Sequence, residues 1–320
     1  MKHCLPNFVI AGAPRCGTTY LARMVGQHPD VYLASLGQSY SAGDIHFFDI
    51  SKTEGRVHWG RGIEWYESLF ADGMTQRCVG EKTADYLADP AAPGLIRETL
   101  GPETRFILSL REPVNRALSH YWHERHNLPI NMDFEKAFFD AEVNRQIWLR
   151  QSGLYYENIR RYLQFFPRDN ILVLINEEFA CHPGRALRTV CQFLNIDPGF
   201  SFLNTAERVN RSIRSGSALG LAFAGTWIKR LSPALFRAIR DSALSGWATN
   251  RIRRARGLSQ RGEHTQGGGK PPQPSQALSP ELRERIQFFY EEDVELLGKL
   301  LGRDLASFWR FDKSAAGGDA

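Results

Sequence analysis

An open, mostly parallel α/β sheet flanked by helices on both faces is the fold this sequence predicts, and three features predict it. The stretch from Asn7 to Arg23 reads as a buried strand, a glycine-bounded loop and a helix start. Two apolar runs, Arg105–Leu110 and Ile171–Ile175, are continuous, as strands buried on both faces require. Strand-like and helix-like segments alternate as far as Leu194, the order in which crossover helices build a parallel sheet. With 320 residues, 42% of them hydrophobic, the chain can bury a full core around such a sheet.

The first of these stretches carries the most chemistry. Gly12 and Gly17 stand at the spacing of the G-x-x-x-x-G-K-[ST] pattern, and Thr18-Thr19 follows where the first N–H groups of a helix would face an anion. The fold is therefore expected to be of the P-loop-containing nucleotide-binding type. The lysine that would reach the β/γ-phosphates of a nucleoside triphosphate is replaced by Thr18, and the loop's only cation is Arg15. Such a loop suits a phosphate-like group other than the end of a triphosphate.

The remaining elements follow in order. Thr19–Gln27 has a helical stripe that ends at His28-Pro29, and Val31–Ala34 reads as a short strand. In the segment Asp44-Ile-His-Phe-Phe-Asp49, acid and imidazole flank an aromatic pair. It reads either as a general-base site or as core phenylalanines beside a turn capped by Asp44. A short amphipathic helix is expected at 64–70. A strand beginning at Arg77 runs into a polar loop, with Lys82 just past it, where ligands gather in open α/β sheets or where a lysine is simply solvated. Arg105–Leu110 delivers Arg111 to its carboxyl end, not the acid that would hold Mg²⁺, so no metal site is expected despite Glu177 and Glu178 after the later strand. Helices are expected at 114–122, 153–166 and 186–194.

Composition changes after Arg208. Between Arg208 and Lys270 there are thirteen Lys/Arg against two acids, while the rest of the chain carries a net charge of −6. Helical patterns at 217–230 and 233–243 interleave these cations with Trp227 and Phe236, which suits either an anionic membrane surface or packing on the domain with solvated arginines. The expected organisation is an α/β core over 5–207, a basic helical insertion and loop over 208–278, a helical closure over 279–310 and a disordered tail. Five scattered cysteines without a C-x-x-C pair argue against a disulfide framework or a zinc site. No run is apolar enough for a signal core or a membrane span, so a cytoplasmic setting is expected, with peripheral contact at the inner membrane face as an extension. No nucleic-acid partner is expected.

Taken together, these pieces resemble the sulfotransferases that use 3′-phosphoadenosine 5′-phosphosulfate (PAPS), and among them the heparan sulfate sulfotransferase branch and its bacterial relatives. Gly12-Ala-Pro-Arg-Cys-Gly-Thr-Thr19 resembles the family's loop around the 5′-phosphosulfate, which implicates Arg15, Cys16, Gly17, Thr18 and Thr19 in donor binding. Leu110-Arg-Glu-Pro-Val-Asn-Arg-Ala-Leu-Ser-His-Tyr121 resembles the second motif, in which Arg111 and Ser119 would hold the 3′-phosphate. Asp44-Ile-His-Phe-Phe-Asp49 resembles the segment whose first acid is the catalytic base, and Gly80-Glu-Lys-Thr83 the segment whose lysine, Lys82, lies at the sulfuryl site. Gly153-Leu-Tyr155, Phe165-Phe-Pro167 and Leu301-Gly-Arg-Asp-Leu305 also match.

Two departures stand out. The base position holds Asp44 where glutamate is usual, with His46 as the other candidate, and the cradle cation is Arg15 where lysine is common. The resemblance implies metal-free sulfuryl transfer to a hydroxyl or amine of a carbohydrate, glycolipid or similar acceptor. Two other readings compete with it. One is a degenerate P-loop nucleotide kinase; the other is a non-catalytic module that binds nucleotide or a membrane surface.

Overall fold

The computed structural model describes residues 5–36, 43–125, 128–129, 132–205 and 278–311. The expected helices at 217–230 and 233–243, the basic insertion around them and the tail beyond Phe311 lie outside the described residues.

Five strands form one sheet in the order β2-β3-β1-β4-β5, with every neighbouring pair parallel. They are β1 (Phe8–Gly12), β2 (Val31–Leu33), β3 (Cys78–Lys82), β4 (Arg105–Leu110) and β5 (Ile171–Ile175). The apolar runs are continuous because both faces are covered, and alternate residues feed two cores. Val9, Ala11, Phe106 and Leu108 join one, with Phe48, Tyr162 and Tyr290, whereas Phe8, Ile10 and Ile107 join the other, with Leu21, Met24 and Val190.

Parallel pairing places the carboxyl ends of β1, β3 and β4 side by side. The chain runs from β1 outward to β2 and β3, then crosses to β4 on the opposite side, so the strand order reverses about β1 and leaves a crevice there. Lys82 is the last residue of β3, not a residue beyond it. Pairing with β1 extends to Ile10 opposite Lys82, and the lysine is only 2% exposed.

The helices that bear on the site are α1 (Thr18–Val25), α2 (Thr53–Trp59), α3 (Ile63–Ser68) and, after β4, α5 (Pro113–Glu124). Between them α4 (Ala92–Leu100) covers the sheet. The helix expected over 153–166 is regular only from Tyr155 to Tyr162. Gly153 closes a tighter turn, where a Cβ would lie 2.9 Å from the ring of Tyr290. Tyr290 belongs to the long closing helix Pro280–Leu301, whose Ser279 caps the N–H of Leu282 as its Ser-Pro start predicts.

Candidate active site

The loop between β1 and α1 is held from below. Ser109 Oγ and Asn176 Nδ2 both donate to the Cys16 carbonyl, at 2.6 and 2.8 Å, and the Ala13 N–H donates to the Ser109 carbonyl at 2.9 Å. Gly17 adopts φ 81, in the left-handed region that favours glycine, and a Cβ there would meet Asn176 Nδ2 at 2.6 Å and push that amide off the Cys16 carbonyl. Gly17 at the N-cap brings no side chain to α1, and among the described residues no side-chain hydrogen bond to its first-turn N–H groups is made, so an outside acceptor could take them.

The Cys16 thiol is buried against the Tyr155 hydroxyl at 3.6 Å, burial pushes it up to about 11, and the Cys16 N–H closes a 3.2 Å turn on the Ala13 carbonyl. The side chain faces the core and shapes the loop from within, so the expected part of Cys16 in donor binding falls to its backbone.

Arg15, at φ 68, turns toward the second motif, with Nε donating to Ser119 Oγ at 3.4 Å. Burial, and after it the field of Arg111, lowers the pKa of its guanidinium. Among the described residues neither arginine has a carboxylate at ion-pair distance. Two cations and a hydroxyl thus converge beside an uncapped helix start. Tyr155 ties the motifs together, since its hydroxyl contacts Cys16, donates to the Arg111 carbonyl at 2.8 Å and accepts from the Arg111 N–H at 3.4 Å.

A second cluster lies at the end of β3. Lys82 Nζ donates to Asp44 Oδ2 at 2.5 Å, and the Ala84 N–H donates to Asp44 Oδ1 at 2.8 Å. The carboxylate remains about a third exposed while the lysine side chain is almost fully buried. His46 adopts φ 52, a conformation uncommon away from glycine and one that concentrates at functional sites. Its Nδ1 lies 2.6 Å from Oδ2 of the fully buried Asp49. Burial opposes the imidazolium, but the Asp49 hydrogen bond and the fields of Asp49, Asp44 and Asp85 outweigh it and raise His46 to about 9. His46 is therefore protonated at neutral pH.

Asp85 and Lys52 were not anticipated as part of this cluster. They pair at 2.9 Å, and Lys52 also sits 4.8 Å from the centre of the Trp148 ring. One potential ligand atom from each of His46, Asp49 and Asp85 falls within 4.8 Å of the others. Within this grouping the His46 ring pairs with Asp49 and Lys52 pairs with Asp85. Phe47 and Phe48, between His46 and Asp49, are core residues, and Phe47 stacks on Tyr66 at 4.3 Å. The phenylalanines lie in the core, as one of the two readings expected, while Asp44 stays partly exposed and pairs with Lys82. Glu177 and Glu178 serve the frame, since Glu177 accepts the Glu112 N–H and Glu178 pairs with Arg303.

Comparison with known proteins agrees with this arrangement. The model of the sulfotransferase domain family matches residues 5–215. The chain is 30% identical over 208 residues to human heparan sulfate glucosamine 3-O-sulfotransferase 5, covering 62% of this chain and 56% of that protein. It is 28% identical over 211 residues to mouse bifunctional heparan sulfate N-deacetylase/N-sulfotransferase 3, covering 62% of this chain and 23% of the relative. The chain thus spans about half the length of the first relative and less than a quarter of the second. The crystal structure of a sulfotransferase from Alicyclobacillus acidocaldarius superposes with a TM-score of 0.64 at 26% identity, covering 96% of this chain and 99% of that one. With its family model matched over residues 5–215, which take in the Gly12–Thr19 loop, the Arg111–Ser119 segment and the Asp44–Lys82 cluster, this chain belongs to the sulfotransferase domain family.

Proposed function

We propose that this protein transfers a sulfuryl group from PAPS to a hydroxyl or amine of a carbohydrate, glycolipid or similar acceptor. The observation that carries the reading is the pairing of Asp44 with Lys82 at the end of β3, near the Arg15, Arg111 and Ser119 group at the adjacent strand ends. The residues fit a doubly anionic nucleotide, because the Arg15 and Arg111 cations have no carboxylate at ion-pair distance among the described residues, and an anion would complete both them and the first-turn N–H groups of α1.

PAPS supplies an activated sulfuryl group joined to a phosphate leaving group. Arg111 and Ser119 hold the 3′-phosphate through charge-assisted bonds that ATP cannot form. The first-turn N–H groups of α1, from Gly17 to Thr19, and the Arg15 cation stabilise negative charge on the 5′-phosphate. Lys82 neutralises the sulfonate, and Asp44 removes the proton of the acceptor as the new oxygen–sulfur or nitrogen–sulfur bond forms. Asp44 is favoured over His46 as the base because the imidazolium has no free lone pair at neutral pH. His46 instead orients the cleft with Asp49. A cytoplasmic setting, with peripheral membrane contact through 217–256, belongs to the same proposal. No helix among the described residues is long and apolar enough to cross a membrane.

Incubation with labelled PAPS and a panel of glycans, read by mass spectrometry, is expected to yield sulfated product with the parent protein and at least about a hundredfold less with Asp44→Asn. Failure of transfer to every acceptor, together with stabilisation by Mg-ATP but not by 3′,5′-adenosine bisphosphate, would overturn the proposal in favour of a kinase.

A further inference from the structure

Beside Lys82 on β3 stands Glu81, a carboxylate with no exposure and no cation at ion-pair distance among the described residues. Three hydroxyls surround it. Tyr66 donates at 2.5 Å, Thr83 at 3.0 Å, and Tyr86 to both oxygens at 3.2 Å. Two of these hydroxyls are themselves acceptors from the backbone of the segment that carries Asp44. The N–H groups of Ile45 and His46 donate to Thr83 Oγ1 at 3.0 and 3.1 Å, and the Phe47 N–H donates to the Tyr86 hydroxyl at 2.8 Å. The third hydroxyl belongs to the ring on which Phe47 stacks.

The donor count fixes the direction of the Thr83 and Tyr86 bonds. A hydroxyl has one proton, and where its oxygen already receives backbone N–H groups that proton goes to Glu81. An acceptor that turns no proton of its own toward these two hydroxyls satisfies both. We propose that Glu81 is the positioning residue of the acceptor side: its carboxylate orients Thr83 and Tyr86, which hold residues 45–47 and so place Asp44 against Lys82. This rests on the reading of Asp44 and Lys82 as the reacting pair. Burial, only partly offset by the bonds it accepts, raises Glu81 to about 7, which marks the desolvation the hydroxyl cage must counter.

The substitution Glu81→Gln keeps the shape but turns an amide N–H₂ toward hydroxyls that must donate. Turnover is expected to fall by about ten- to a hundredfold, the scale of a 1 Å misplacement. Affinity for 3′,5′-adenosine bisphosphate is expected to stay near the parental value, while the thermal midpoint falls, because the buried hydroxyls lose an acceptor. A readout independent of turnover is the rate at which an acylating reagent modifies Lys82, followed by mass spectrometry. Loosening of residues 45–47 is expected to raise it by about fivefold or more.

Parental turnover and parental Lys82 labelling in a folded Glu81→Gln protein would overturn the proposal. So would loss of nucleotide affinity in step with turnover, which marks a general structural defect. If Glu81→Gln does not fold, Tyr86→Phe, which removes one link of the relay, is expected to show the same pattern, and parental behaviour there is equally decisive. Faster Lys82 labelling in a protein whose parent transfers no sulfuryl group would support the positioning role while removing the proposed activity.

Discussion

The two sides of the crevice are built on different principles. On the side proposed for the nucleotide, the loop of Gly12–Thr19 is pinned by two bonds to the Cys16 carbonyl and one from the Ala13 N–H to the Ser109 carbonyl, and the groups facing the crevice are backbone N–H groups and strand-end cations. On the side proposed for the acceptor, residues 44–49 have no regular secondary structure, and His46 is in the left-handed region. They are held by buried hydroxyls converging on Glu81 and by the Asp49 pair. Regular structure positions the first set at little cost. The second depends on a polar network in low dielectric, where one missing partner is expensive. Changes on the nucleotide side should therefore alter affinity for the nucleotide, and changes on the acceptor side should alter turnover or stability.

The largest effect is expected from Asp44→Asn, which should lower turnover by about 10²- to 10⁴-fold. Calorimetric affinity for 3′,5′-adenosine bisphosphate should not change, and a parallel loss of affinity would erase the division between the sides. Phe48→Ala removes a fully buried ring packed edge-on against Phe47 at 5.0 Å and against Tyr66 and Tyr86. Urea denaturation should show a loss of about 3–5 kcal/mol.

Arg111→Ala should weaken nucleotide binding by about 1.5–3 kcal/mol, the worth of a hydrogen bond to a charged group. Turnover at saturating donor should remain close to the parental value. If turnover collapses instead, Arg111 acts on the reaction and the comparison must be redrawn.

The His46 prediction concerns pH. Its folded-state pKa, about 9, lies above the unfolded value of about 6.5. The stability from the charged pair is thus fully present below about pH 6.5 and is lost as pH rises through about 9. The stability difference between the parent and His46→Gln should shrink over that interval, and an NMR titration of the imidazole should have its midpoint near 9. Ser119→Ala should be mildest, at about 0.5–1.5 kcal/mol of nucleotide affinity.

Local pattern carried much of the nucleotide side. The spacing of Gly12 and Gly17, the substitution of Thr18 for lysine and the arrival of Arg111 at a strand end are all properties of short segments. Their geometry follows from strand, turn and helix rules alone. Asn176 escaped notice because its bond to the Cys16 carbonyl spans 160 residues. The inward thiol of Cys16 was equally hidden, since a loop residue's direction is set by what packs beneath it, here Tyr155.

On the acceptor side, Asp44, His46 and Lys82 were recognisable as chemically capable groups. Their pairing was not, because Asp44 and Lys82 are 38 positions apart and meet only when β3 takes its place beside β1. Glu81 offered one available signal, a carboxylate at an interior position of an otherwise buried strand, which needs hydroxyl or cationic partners to be tolerated.

The sequence by itself determined the parallel α/β class, the strand positions and the glycine-bounded loop with Thr18 where a triphosphate-binding loop has lysine, because periodicity and glycine spacing act over a few residues. Only the tertiary structure decided that Lys82 is buried against Asp44, that His46 is charged and that Cys16 faces the core. Protonation and side-chain direction depend on desolvation and on charges contributed by distant segments, and these exist only once the chain has folded.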